Sequence, residues 1–270
     1  MWTKIYKFRL MDSIQPLRIG KNHIHFAEIH STNTYLMDLL SKTNPHEGTC
    51  VTSDFQSAGR GQIGRSWHSE AGMNLLASFL FTPEKLLVER QFELAMAIAL
   101  AVKALVQQYC SEVKIKWPND IYVGDHKVAG ILIQNILRGN HVSAVVAGIG
   151  LNCNQTIFPA ELPNPVSMAQ CAGRNFDLEE IRIRCSLALE TMYDRWQLGD
   201  IMNIRSEYTA SLYRYNQFFL YRNSSTGHIL NARMTGITQE GKLVLEEQTG
   251  CLHAFDIKEV EFLPHRSKVD

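Results

Sequence analysis

The chain has 270 residues, 45 % of them hydrophobic, enough to bury a core without disulfide or metal staples. Its 27 Lys and Arg balance its 27 Asp and Glu, which excludes the global basic field of a dedicated nucleic-acid binder; any anionic ligand must be met by a local cluster. The six cysteines form no CxxC pair and, with the histidines, no zinc-ligand spacing, which reads as reduced thiols in a cytoplasmic protein and argues against zinc.

The N-terminal MWTKIYKFRLMD has no unbroken apolar core of the kind a secretory signal needs. About 22 residues precede the first predicted strand, fewer than the roughly 50 an independent domain requires. HIHFAEI (23–29) has strand character and runs into Ser31-Thr32-Asn33, a polar N-cap before a helix carrying Tyr35, Leu36, Leu39 and Leu40 at helical spacing. GTCVTSDF (48–55) and the continuous apolar run NLLASFLFT (74–82) predict two strands, the second buried on both faces.

Between those strands lies GRGQIGRSW (59–67). Glycines let backbone N–H groups approach an anion, and arginines offer planar forks for phosphate or carboxylate. The plain alternative is a flexible surface loop with incidental arginines. The stretch lacks the GK[ST] ending of a phosphate-binding P-loop, and it leads into a strand and not a helix, so it is no dinucleotide fingerprint.

A predicted helix over 86–109 is apolar on most faces, as in one packed deep against a sheet, and its LAMAIALAV segment is too short to span a bilayer. KIKW (114–117) reads as strand, halted by Pro118. IYVGDHKVAGILIQNIL (121–137) reads as a hairpin around Gly124-Asp125-His126. Trp117-Pro118 fixes Asn119 and Asp120 at its start, and Lys127 lies on the returning strand, an acid and an amine on neighbouring strands. Asp120 could hold Mg²⁺ or a ribose hydroxyl, and Lys127 could neutralise charge on a phosphate or acyl oxygen; both are equally readable as surface charges flanking a turn. HVSAVVAGIGLNCN (141–154) predicts a strand ending in Asn152 and Asn154, which suit either purine recognition or a plain turn.

A Pro-rich passage (159–165) precedes a capped helix over 176–197, and a last helix runs to about Tyr213. From Phe218 onward short β runs alternate with turn signals, the pattern of a small β-barrel or SH3-like module.

Taken in order, Ser31-Thr32-Asn33, SDFQSAGRGQIGRSWHSEAGMNL (53–75), KWPNDIYVGDHKVAGIL (116–132) and GIGLNCN (148–154) closely resemble the biotin protein ligases, with motif spacing intact from His25 to Asn154. The resemblance implies an α+β fold: a mixed sheet with helices, related to class II aminoacyl-tRNA synthetases and lipoate ligases, then a C-terminal SH3-like domain. Its implied organisation is an N-terminal extension over 1–22, a catalytic domain over 23–213 and the SH3-like domain over 214–270. The implied reaction joins biotin to ATP with Mg²⁺, giving biotinyl-5′-AMP and pyrophosphate, then moves biotin to one lysine of a biotin carboxyl carrier domain of acetyl-CoA carboxylase or a related carboxylase.

By motif position the biotin contacts would be Ser31, Thr32, Asn33, Gln56, Gly59, Arg60, Gly61, Gln62, Lys127 and Gly130. Arg65, Trp67, Lys116, Asn119, Asp120 and Asn152 would serve the adenylate, with Lys127, Arg65 and Asp120 catalytic and Asp120 the metal ligand. Relatives often carry arginine where this chain has Gln62. Bifunctional relatives carry a DNA-binding winged helix ahead of the core, so no DNA partner and no repressor activity are expected; no membrane partner is expected either, and a homodimer is left open. The competing readings are a lipoate ligase or octanoyltransferase of the same fold, the latter needing a thiol such as Cys153 or Cys171, and a non-catalytic biotin sensor.

Overall fold

The computed structural model describes residues 18–62 and 66–263. Its centre is a seven-stranded mixed sheet in the order β1-β2-β3-β7-β6-β5-β4. The strands are β1 (His23–Ile29), β2 (Cys50–Gln56), β3 (Leu75–Phe81), β4 (Val113–Lys116), β5 (Asp120–Val123), β6 (His126–Arg138) and β7 (His141–Leu151). Only the β1–β2 pair is parallel, its ends joined through a helix crossover as parallel pairs require; the other neighbours run antiparallel.

β3 sits between β2 and β7 and is buried along its whole length, which is why LLASFLF is continuously apolar. Its side chains alternate between two cores. Leu80 joins Leu36, Val51, Ala144 and Val146 beneath α1 (Thr32–Lys42), whereas Phe79 and Phe81 join the larger core under α2 (Phe92–Gln107). Twelve of the sixteen α2 residues are buried, so the helix is apolar on nearly every face. It is enclosed by the sheet, α4 (Leu178–Gln197) and α5 (Ile201–Ala210). A short helix absent from the sequence expectations, α3 (Met168–Ala172), follows the Pro-rich passage and is held by a capping box between Ser167 and Gln170. The predicted last helix ends at Ala210 and not near Tyr213, and the chain turns there to pair Ile115 with Leu212.

The C-terminal strands form a separate antiparallel sheet in the order β11-β10-β9-β8-β12. They are β8 (Phe218–Asn223), β9 (Ile229–Ile237), β10 (Leu243–Glu247), β11 (Leu252–Phe255) and β12 (Val260–Phe262). This mixed α+β core followed by a small β module is the fold class expected from the sequence. The two sheets meet at a buried junction where the Trp117 indole N–H donates to the Gly241 carbonyl at 2.9 Å and the Tyr208 hydroxyl donates to the Pro118 carbonyl at 2.6 Å. Among the described residues no helix is long and apolar enough to cross a membrane.

Candidate active site

The α1 face of the sheet is covered by the helix only as far as its N-terminus. Beyond Ser31 the sheet floor lies open, and there the cross-strand ladder runs Ser78–Gly148–Leu132 and Leu76–Gly150–Gly130. Small residues thus occupy the face positions just past the point where Leu80 and Val146 pack against α1. A cavity of about 90 Å³ results, lined by the first turn of α1, the 56–67 loop and this floor.

The helix end supplies polar groups in a fixed arrangement. Ser31 is the N-cap, its hydroxyl accepting from the Thr34 N–H. The Thr32 N–H donates to Gln56 Oε1 at 2.8 Å, and the Thr32 hydroxyl bonds Ser78 Oγ at 2.8 Å. Gln56 Oε1 is therefore committed, and Gln56 has only its amide N–H groups left to offer as donors. Asn33 donates from Nδ2 to Gln134 Oε1 at 2.8 Å, while its Oδ1 is buried with no partner. A buried amide oxygen without a donor is costly, about 1–3 kcal/mol, unless a ligand satisfies it.

At the other end Lys127 Nζ lies 2.7 Å from Asp120 Oδ1. The register explains the meeting: Asp120 pairs with Gly130 and Tyr122 with Lys127, with a bulge between. The cavity therefore has a neutral amide and hydroxyl end and a cationic end. Asp120 is the one carboxylate among the described lining residues. Mg²⁺ commonly takes one or two carboxylates and fills its shell with substrate phosphates and water, so this single donor fits an ion that arrives on a nucleotide.

The described ends of the loop lie over the floor. Trp67 N–H donates to the Gly59 carbonyl at 2.9 Å and Arg60 bridges to Ser66, which draws the two ends together as a flap. The Trp67 indole rests on the strand glycines: a Cβ at Gly150 would collide with the ring, and one at Gly130 would stand 3.0 Å from it. Lys127 Nζ sits 5.7 Å from the ring centroid, a cation–π distance. The indole N–H is buried without an acceptor. With Trp67 in place the free space is well below the roughly 300 Å³ at which small-molecule pockets begin, so a ligand of that size must displace the flap.

Ser31, Thr32, Asn33, Gln56, Arg60, Gly61, Gln62, Trp67, Asp120, Lys127 and Gly130 all line the cavity. Arg65 lies outside the described residues. Four expected site residues are placed elsewhere. Gly59 stands behind the flap, against the Trp67 carbonyl. Lys116 donates from Nζ to the Tyr122 hydroxyl at 3.1 Å and covers the Tyr122 and Phe262 rings, at the junction with the C-terminal sheet. Asn152 is buried and structural: its Nδ2 donates to the Val166 carbonyl at 3.0 Å and its backbone N–H to Val128 at 2.9 Å. Asn119 bonds the Ile131 carbonyl and accepts from Gln62 Nε2 at 3.0 Å, so it anchors the flap without lining the cavity.

Sequence reasoning missed the floor itself, Ser78, Leu132, Gly148 and Gly150. The signal available was period-two smallness, glycine at alternate positions of a strand whose neighbours are Val and Ile. No thiol is among the described residues that line the cavity. Cys153 is fully buried and burial pushes its thiol up to about 12, while Cys171 is exposed on α3; neither lines the cavity.

Comparison with known proteins is consistent with this geometry. Residues 25–152 match the Biotin/lipoate A/B protein ligase family. A Biotin--[acetyl-CoA-carboxylase] ligase of Paracoccus denitrificans is 30% identical over 235 residues, covering 83% of this chain and 94% of the relative. The Bifunctional ligase/repressor BirA of Bacillus spizizenii is 29% identical over 242 residues, covering 87% of this chain and 74% of the relative. Among solved structures, the biotin protein ligase from Aquifex aeolicus in complex with biotin and ATP superposes with a TM-score of 0.71 at 22% identity, over 90% of this chain and 99% of that one. At that identity the likeness is one of fold.

Proposed function

The chain belongs to the biotin/lipoate A/B protein ligase family, and on that premise we propose that it activates biotin with ATP to biotinyl-5′-AMP and transfers biotin to a lysine of a biotin carboxyl carrier domain. The observation that carries the reading is the two-ended cavity. Amide and hydroxyl groups at the α1 end suit a neutral head that both donates and accepts hydrogen bonds, as a cyclic urea does, and the unpartnered Asn33 Oδ1 needs such a donor. Lys127 at the other end suits the acid tail.

In the first step a carboxylate oxygen of biotin attacks the α-phosphorus of ATP; the bond to the bridging oxygen breaks and pyrophosphate leaves. Both partners are anionic, so cations at the junction are the requirement. Lys127 is paired with Asp120 in the free protein and redirects its ammonium to the carboxylate and α-phosphate oxygens when they arrive. Arg65 is a second candidate. Mg²⁺ enters with the nucleotide as part of the substrate, and its charge offsets that of the phosphates, with Asp120 as the one protein ligand we assign. In the second step the carrier lysine amine attacks the acyl carbon, AMP leaves, and the amine loses a proton. No protein nucleophile is needed, because the substrate carboxylate performs the attack. The 56–67 flap excludes water from the labile anhydride between the two steps.

We assign residues 23–213 to the catalytic unit and 214–270 to the SH3-like unit, and the carrier partner to an acetyl-CoA carboxylase type. An octanoyl transfer through a protein thiol is disfavoured by the burial of Cys153 and the exposure of Cys171 away from the cavity. The test is incubation with ATP, Mg²⁺, a carrier domain and either biotin or lipoate, followed by intact-mass measurement of the carrier. A single biotinyl addition that requires ATP supports the reading; lipoyl addition, or no addition with biotin bound, overturns it.

A further inference from the structure

Within the described residues, one group of three His, Cys, Asp or Glu side chains brings its donor atoms within 4.8 Å of one another, and it lies in the C-terminal sheet, outside the ligase cavity: Glu247, Cys251 and His253. The backbone enforces the grouping. Glu247 N–H donates to the Cys251 carbonyl at 2.9 Å, closing the turn between β10 and β11, and Leu245 pairs with His253. Cross-strand partners share a face, and so do residues two apart on one strand, so all three side chains project from the same face at the hairpin tip. The neighbouring acids are committed elsewhere, Glu246 to Arg233 at 2.9 Å and Asp256 to Lys242 at 2.8 Å. Glu247 is turned to the imidazole, its Oε1 2.6 Å from His253 Nε2. The imidazole in turn packs on Phe255 at 6.1 Å between ring centroids, which fixes its plane.

We propose that Glu247, Cys251 and His253 form a zinc site with a fourth position open to water. Thiolate, imidazole and carboxylate are the donors Zn²⁺ takes, at about 2.0–2.3 Å. Binding releases the Cys251 thiol proton, and the proton that His253 Nε2 donates to Glu247 Oε1 moves to Nδ1, so that the neutral ring faces the ion through Nε2 and the ion takes the place of the hydrogen bond. The sequence holds no paired Cys and His spacing of the turn or helix kind; the ligands are Glu-x₃-Cys-x-His, and strand alternation does what a CxxC turn does elsewhere.

The test uses the full chain, reduced and chelator-treated, titrated with Co²⁺ as a spectroscopic stand-in. We expect one equivalent to give visible bands of tetrahedral intensity and a near-ultraviolet thiolate-to-cobalt band, both bleached by one equivalent of Zn²⁺. Cys251→Ser loses the thiolate band, Cys171→Ser keeps it, and His253→Gln loses stoichiometric binding. Unchanged metal-free melting of all three variants shows that they fold. Absence of the thiolate band in the parent chain, its survival in Cys251→Ser, or its loss in Cys171→Ser overturns the proposal, whatever the outcome for biotin transfer.

Discussion

Lys127→Ala separates the role of the Lys127–Asp120 pair in chemistry from its role in folding. The two side chains are 30% and 26% exposed and their closest atoms are 2.7 Å apart. Partly exposed pairs of this kind contribute about 0–1 kcal/mol to stability. For a chain of this size that lowers the melting temperature by no more than roughly 2–4 °C. In the transition state the same ammonium faces charge developing between carboxylate and phosphate, and loss of one such preorganised contact costs about 3–4 kcal/mol. At about 1.4 kcal/mol per tenfold, the rate falls by roughly 10²–10³.

The assay is biotin-dependent pyrophosphate release from ATP, measured beside thermal melting on the same preparation. Binding of an uncharged biotin amide provides the control, because that ligand lacks the carboxylate Lys127 is assigned to meet and should bind the variant as it binds the parent. Pyrophosphate release within threefold of the parent would refute the assignment. So would normal release with only transfer to the carrier lost, since that would place Lys127 in the second step.

Arg65→Ala is expected to reduce adenylate formation by a similar factor without changing the melting temperature; retention of full activity in this variant and in Lys127→Ala together would remove the cationic junction altogether. Once biotin and ATP have displaced Trp67 from the floor, the segment near residues 57–68 should close over them and be protected from limited proteolysis, read by mass mapping of the first cuts, and equal cleavage with and without ligands would contradict closure over the bound ligands. Gln62 donates to Asn119 at 3.0 Å, a neutral contact worth about 1 kcal/mol, whereas charge-assisted bonds reach about 1.5–3 kcal/mol. Gln62→Arg should therefore slow escape of biotinyl-5′-AMP about tenfold in a rapid-filtration assay, and an unchanged escape rate would show that position 62 does not contact the adenylate. For the thiols, burial pushes Cys50, Cys110 and Cys153 up to about 12. In the metal-free protein they should stay unmodified by a thiol reagent at neutral pH while exposed Cys171 and Cys251 react. Biotin transfer should survive the treatment; inactivation traced to Cys153 would revive the thiol-dependent reading.

The sequence made the order of strands and helices legible wherever one physical signal dominated. A strand buried on both sides must be apolar throughout, and LLASFLF is. A helix start needs a side-chain acceptor for its free N–H groups, and Ser31 and Asp177 mark two of them. α3 escaped because five residues are too few to show a period, and its capping box spans only Ser167 and Gln170. The residues that line the cavity from loops and helix ends were also legible, since glycine, arginine and clustered hydroxyls outside regular structure ask for an explanation.

Harder to read were residues whose role depends on which face of the sheet they occupy. Asn152 and Lys116 sit in the same motifs as Asn119 and Lys127, and sequence position alone cannot rank them. Register and side-chain direction together do so. Asp120 pairs with Gly130 and Gly130 with Gly150, so Asp120, the floor and the indole of Trp67 converge on one side. Lys116 pairs with Asp120 and shares its face, but on the edge strand β4 its side chain turns to Tyr122 and Phe262, and Asn152 is consumed in tying β7 to the α3 approach. The same register accounts for Trp67. An aromatic residue at the end of an arginine-rich flap would be expected over a nucleotide base, yet the Trp67 indole rests on Gly130 and Gly150, where no side chain intervenes. The flap is thereby seated on the floor that the substrate needs, and its buried, unpartnered indole N–H makes that seat weaker than a fully bonded one. A ligand that offers Asn33 its missing donor and Lys127 an anion gains what the seated flap lacks, and so the exchange of Trp67 for substrate follows from unsatisfied groups at both ends of one cavity.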